Sequence, residues 1–410
     1  MKRISIELED IKIGQPLPYP VWDEAGFLVA ERGFVVQSSK ELAVMKGQRD
    51  KLMVDVADFE RYQRAYVKKL HDMVHDNREI REIAGTRLAD VKPQPSALPQ
   101  NSSEADWLDL QEQAHTLLHG SNPQTFLERL ETLQAHLSHH TRLNPDGTLL
   151  GLFSLSAKAH ERYSGTHAML VSVICAMAAR DVLKWSAADE NVLCHAALTM
   201  NIGMTLQQDR LAEQKEAPSP SQRDVIHNHP TRSVEVLRGL GVTHPDLLEA
   251  VRDHHARQPG ALAVRTLGQR MARLIQRADI FAAAISPRAS RAAASTGSAM
   301  KAAYFDENSQ VDEAGAALVK AVGIYPPGSF VRLTSGEVAV VVRRGSNTSA
   351  PRVAVVLNRS GMPNAELSLR DTSLAEWRVT FGVPAKEVKV NVSLARLLPL
   401  TRLPESRFEV

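Results

Sequence analysis

The stretch PDLLEAVRDHHAR, residues 245–257, places Leu247, Leu248, Val251, His254 and His255 at spacings i, i+1, i+4, i+7 and i+8. That is the inward stripe of an amphipathic helix, and its last two members are titratable. Both histidines are expected to point inward or nearly so, where a side chain must find a partner or lose its charge. Reading outward gives three more helices with a polar residue on the buried stripe. Val225, Ile226, His229, Ser233, Val236 and Leu237 form one, with the small Ser233 leaving room one turn from His229. His167 opens a second, followed by Leu170, Val171, Ile174 and Met177, while Met271, Ile275, Asp279 and Ala282 mark a third. One buried histidine is usually a hydrogen-bonded core residue. Four of them with an aspartate, on four helices, are what a helical metal site requires: convergent neutral imidazoles and a carboxylate on rigid elements. The competing reading is a buried polar network without metal.

Start signals support a helical middle. Ser186 precedes Asp189, Ser219-Pro220 precedes Gln222, and Thr243 with Pro245 precedes Asp246, each an N-cap with a side chain placed to close a capping box. Gly239 and Gly241 supply a stop. From Tyr325 the period changes to two: Phe330, Val331 and Leu333 lead through Thr334-Ser335-Gly336 into Val338–Val342, a hairpin, with further strands expected at Arg352–Leu357 and Val388–Val392. Near the start, Phe27–Val29 and Phe34–Val36 are short β-like runs beside Gly26 and Gly33. The predicted class is a multi-domain α+β chain. It comprises a small α/β module with a trailing helix (1–84), a flexible linker (85–105), a helical connector (106–149), a central all-α domain (150–323) and a β-rich extension (324–410).

Composition bounds the function. A chain of 410 residues has room for two or three domains. A formal charge of +2, from 49 basic and 47 acidic residues, argues against DNA, RNA or an anionic membrane as partner. The local balance differs, with nine basic and two acidic residues between Arg252 and Lys301, which favours an anionic ligand. Cys175 and Cys194 sit in apolar surroundings, which fits a reducing compartment and core packing. No apolar run approaches the roughly 20 residues needed to span a bilayer, so a cytoplasmic location is expected.

At these positions the chain resembles the HD-GYP family, helical metal-dependent phosphodiesterases that hydrolyse the bacterial second messenger cyclic di-GMP. The strings YSGTHAMLVSVICAMAA, HAALTMNIGM, IHNHPTRSVEVL, VRDHHAR, RADIF and YPPGSFVRLTSGEVAVVV, between residues 150 and 345, carry the likeness. The N-terminal segment is similar to the small domain that often precedes this module. The resemblance implies that His167 and Asp279 match ligands of one metal, and that His229, His254 and His255 match the ligands of another. Arg288 and Arg291 match positions that contact the dinucleotide's phosphate, and Asn201 stands beside them as a ligand-binding candidate.

The departures fall on the chemistry. Where the family has Leu-His-Asp-Ile-Gly-Lys, this chain reads Thr199-Met200-Asn201-Ile202-Gly203-Met204, without the histidine, the metal-bridging aspartate or the lysine. Tyr163 stands where trinuclear members carry a glutamate, and QPGALAVRTLG (258–268) replaces the Gly-Tyr-Pro loop. A degenerate, non-catalytic module acting by binding cyclic di-GMP or a related nucleotide, or a signalling protein, is the leading expectation, and a homodimer is compatible with it. The second expectation is a phosphohydrolase working with one metal on His229, His254 and His255. The cofactor is one divalent ion (iron, manganese or zinc) or none.

Overall fold

The computed structural model describes residues 106–408 except 121, 159–161 and 391–392. Before them it describes 3–6, 11, 13–14, 16–17, 19–23, 28–30, 33–46, 52–55, 73, 78 and 82. The expected trailing helix and the 85–105 linker therefore lie almost wholly outside the described residues. The chain divides into two compact units, Met1–Asn101 and Ser102–Val410, and is a multi-domain α+β protein.

The first unit holds a four-stranded antiparallel sheet in the order β1-β4-β2-β3, built from β1 Arg3–Ile6, β2 Val21–Asp23, β3 Leu28–Ala30 and β4 Leu52–Asp55, with helix α1 at Ser39–Lys46. Val21, Val36, Met45 and Val54 lie in its core. Of the expected run Phe34–Val36, only Val35 pairs, in an isolated bridge with Pro16.

The second unit begins with helices α2 Trp107–His119, α3 Phe126–Leu143 and α4 Pro145–Lys158. Trp107, Leu117, Leu130, Leu137 and Leu152 belong to the same hydrophobic cluster as the later helices, so this segment is part of the helical core. Every residue of α5, Tyr163–Met177, is buried. A helix buried all round belongs at the centre of a bundle, and α6 Ala187–Thr199, α7 Thr205–Glu213, α8 Pro220–Gly239, α9 Pro245–Asp253, α10 Leu267–Ile285, α11 Thr296–Tyr304 and α12 Glu313–Val322 carry the helices on to the second sheet.

Ser186 caps α6, and Ser219 with Gln222 forms a reciprocal capping box on α8. Thr243 does not cap α9; His244 occupies that position without a side-chain bond, and Pro245, which has no N–H to satisfy, begins the helix. A further box, Thr266 with Gln269, opens α10.

A five-stranded antiparallel sheet follows, ordered β8-β7-β6-β5-β9: β5 Phe330–Leu333, β6 Val338–Arg343, β7 Arg352–Leu357, β8 Pro363–Asp371 and β9 Val379–Val383. The β5–β6 turn takes Gly336 to φ +87°, a left-handed value that favours glycine. Val338, Val340 and Val342 join one buried cluster with Leu150 and Phe408, while Ala339 and Val341 join another, so the unbroken apolar run of β6 is covered on both faces. The expected strand at Val388–Val392 is not formed: Val388 follows a 3-10 turn, Ala385–Glu387, and packs as a buried residue, and 391–392 lie outside the described residues. No described helix is long and apolar enough to cross a membrane.

Candidate functional site

Helices α8 and α9 bring three histidines together. His229 and His254 are buried, and ligand-type nitrogens of His229, His254 and His255 all lie within 4.8 Å of one another. His255 is exposed, contrary to the stripe reading. Helix α9 ends at Asp253, so the 3.6-residue period no longer governs where residue 255 points.

Backbone carbonyls fix the two buried rings. Pro230 lies inside α8 directly after His229. It has no N–H, so it leaves the carbonyl four residues back, that of Ile226, without its helical donor. His229 Nδ1 takes up that oxygen at 2.6 Å. His254 does the same at the end of α9, its Nδ1 standing 2.7 Å from the Val251 carbonyl in the last turn, where helical carbonyls lack donors. Each ring therefore carries its proton on Nδ1 and its lone pair on Nε2.

The two Nε2 atoms then face each other at 3.1 Å. Two lone pairs at that distance repel unless something positive lies between them. A proton would make one ring an imidazolium, and the surroundings oppose this. Burial pulls His229 down to about 4, and burial with the neighbouring His255 and His229 pulls His254 down to about 3. A divalent ion removes the conflict without charging either ring. With metal–nitrogen bonds of about 2.0–2.1 Å, two imidazoles on one ion place their nitrogens roughly 3 Å apart. The histidine Nδ1–H bonded to a backbone carbonyl is also the outer-shell arrangement that orients metal-binding imidazoles. The residues present fit a metal.

His167 and Asp279 form a pair beside this centre. His167 Nε2 lies 2.7 Å from Asp279 Oδ1, and its other ring nitrogen, Nδ1, is buried without a hydrogen-bond partner. Burial would raise the Asp279 carboxyl, but the His167 hydrogen bond and the nearby His255 and His254 hold it well below the usual carboxylate range. Tyr163 stacks on His167 with ring centroids 5.5 Å apart, and Arg288 lies over the Tyr163 ring. Arg288 Nε and Nη2 donate to the Tyr163 hydroxyl at 3.3 and 3.0 Å. The arginine expected to contact phosphate thus spends these donors on the Tyr163 hydroxyl. Arg291 is exposed and donates to the Ala283 carbonyl.

The doublet position explains itself by packing. Met200 is buried within the hydrophobic cluster, and the Asn201 side-chain oxygen is buried without a hydrogen-bond partner. Gly203 beside it is required by close approach: a Cβ there would stand 2.6 Å from the Ser233 nitrogen and 3.0 Å from the His229 carbonyl oxygen. The basic excess between Arg252 and Lys301 is partly neutralised, at three of its nine basic residues. Arg252 pairs with Asp253 at 2.8 Å, and the buried Arg273 and Arg277 pair with Glu307 at 2.9 and 3.0 Å. Arg273 also meets Asp312 at 2.6 Å. Two of these acids, Glu307 and Asp312, lie beyond residue 301.

No family model matches the sequence, and no curated protein matches it. One solved structure, described as Bd1817, a HDG"Y"P protein from Bdellovibrio bacteriovorus, is similar over 77% of this chain and 98% of its own, with 12% identity and a TM-score of 0.38. A likeness of that size carries no argument, and the chemistry rests on the residues described above.

Sequence reasoning missed two sets of residues here. Pro230 was visible as a proline within a helical pattern, yet its effect on the Ile226 carbonyl required the ring geometry. Glu307 and Asp312 have no periodic signal linking them to α10.

Proposed function

We propose that residues 102–410 form a degenerate HD-GYP-type module that holds one divalent metal on His229, His254 and His255 and acts in cyclic di-GMP signalling by binding. The observation that carries this reading is the facing pair of Nε2 lone pairs at 3.1 Å, fixed by two backbone carbonyls. A divalent ion there supplies Lewis acidity and lowers the pKa of bound water. The exposed His255 leaves the centre accessible, but Met200 is an apolar core residue and Asn201 is neutral. Neither offers the carboxylate that bridges a second ion, and His167 and Asp279 already satisfy each other. Two-metal, in-line attack on a phosphodiester therefore lacks its parts.

The test is turnover of cyclic di-GMP with excess manganese or iron, beside the variant Met200→His with Asn201→Asp. The unmodified protein is expected to bind metal and show no turnover above background. Hydrolysis matching that of the double variant would sink the non-catalytic reading. The single-metal phosphohydrolase is supported by the same three histidines and their solvent access, and it predicts turnover that disappears when His229 is replaced.

Pro230→Ala tests the positioning argument. The new N–H competes for the Ile226 carbonyl, so metal affinity is expected to fall about 10-fold or more, the loss typical of an outer-shell partner. Stability to urea should hold or rise, because an interior proline costs a helix about 3 kcal/mol. Unchanged affinity in a chelator competition would show that the carbonyl does not orient the ring.

A further inference from the structure

A second cluster of ligand-type side chains lies on α2 and α7, elements that contribute nothing to the three-histidine centre. His115 and His119, one turn apart on α2, stack with ring centroids 4.0 Å apart, and Asp209 on α7 faces both. The Asp209 Oδ2 atom is 2.9 Å from His119 Nε2 and 3.9 Å from His115 Nδ1, and the three groups meet within 4.8 Å. Asp209 is held in place from α5, accepting the Ser164 N–H at 2.7 Å and its hydroxyl at 3.0 Å.

The proton positions decide what this cluster lacks. His119 Nδ1 is 3.0 Å from the His115 carbonyl, which cannot donate, so the ring's proton is on Nδ1 and its lone pair faces the Asp209 oxygen. Two acceptors at 2.9 Å require a proton or a cation between them. A proton on His119 would satisfy that contact alone. It would leave His115 Nδ1, which is buried and has no hydrogen-bond partner, unexplained. One cation satisfies both nitrogens and the carboxylate together. Two imidazoles at i and i+4 on a helix with one carboxylate from a second helix suit zinc-class ions. A neighbouring cation, Arg162, is paired with Glu112 at 2.8 Å.

We propose that His115, His119 and Asp209 are a second divalent-metal site, of the zinc class, clamping α2 to α7. It does not depend on the reading of the first centre. The test is zinc content by mass spectrometry after loading and dialysis of the full chain, compared with His115→Gln/His119→Gln and His229→Gln/His254→Gln. Two ions in the unmodified protein and one in each double variant is the expected result. Loss confined to the His115 and His119 variant would support this site and overturn the first. Equal zinc in that variant and the unmodified protein would overturn this one. Should that variant not fold, cobalt added to the His229→Gln/His254→Gln chain reads the same site: a d–d absorption band supports it, and no band overturns it.

Discussion

Replacing His254 by Ala is expected to lower the affinity for zinc or manganese by more than about 100-fold, beyond the loss an outer-shell partner produces. His254 supplies one of the two facing lone pairs, and nothing else among the described residues stands in its place. His229→Ala should match it, because removing either ring destroys the same pair. Competition with a chromogenic chelator measures this, and affinity within about 10-fold of the unmodified protein would place the metal elsewhere. The pH dependence follows from the same burial. Protons compete with a metal only where the ligand would otherwise be protonated. Burial holds His229 down to about 4 and His254 to about 3, against an ordinary 6.5. Half-release is therefore expected well below pH 6. For the metal-free protein the sign is the unfavourable one, since the unfolded histidines bind protons first as pH falls below about 6.5. Stability should decline through that window and be fully present above it.

Much of the helical architecture was legible because periodicity and capping pointed the same way. The stripe through Leu247, Leu248 and Val251 ends on a His254 that is buried, and the Ser219 and Ser186 caps sit where the sequence puts them. Periodicity failed where a helix stops: His255 lies beyond α9, and its exposure is a property of the turn. It also could not tell that Met200 fills the core, since a methionine fits either a ligand vacancy or a packing gap. β8 alternates polar and apolar residues from Asn364 to Arg370, a period-two signal that went unread, and β9, with its glycine, gave a weaker one, whereas the doubly covered β6 was plain. The largest omission was charge pairing at long range. The basic excess between Arg252 and Lys301 favoured an anionic ligand, but part of it is internal to the fold, because Glu307 and Asp312 fold back onto Arg273 and Arg277 from beyond it. Likewise His115 and His119 show a helical i, i+4 spacing in sequence, while Asp209 reaches them only through the packing of α7.

Asp312→Ala is expected to destabilise the second unit by about 3–5 kcal/mol, the range for removing one partner of a buried ion pair. Its carboxylate does two things. Oδ2 accepts Arg273 Nε at 2.8 Å and lies 3.6 Å from Arg277 Nε, while Oδ1 caps α12 through the Gly315 N–H at 2.9 Å. Both arginine side chains are about as buried as Asp312 itself, and burial already pulls Arg277 down, with Arg273 repelling it. Without Asp312, only the partly exposed Glu307 would face two desolvated guanidinium groups. Asp312→Asn separates the two contributions, because asparagine retains the cap but not the charge. It should recover roughly 1 kcal/mol of the loss, the usual contribution of an N-cap. The consequence reaches the metal centre through α10. Arg273 Nη1 donates to Gln276 at 2.6 Å, and Gln276 Nε2 donates to the Ala256 carbonyl at 2.9 Å, one residue beyond His255. Urea unfolding followed by helical circular dichroism measures the effect, and a loss below about 1 kcal/mol would mean that water reaches the arginines. Loss of metal affinity in Asp312→Ala under conditions where it remains folded would show that this ion network also holds the turn carrying His254 and His255.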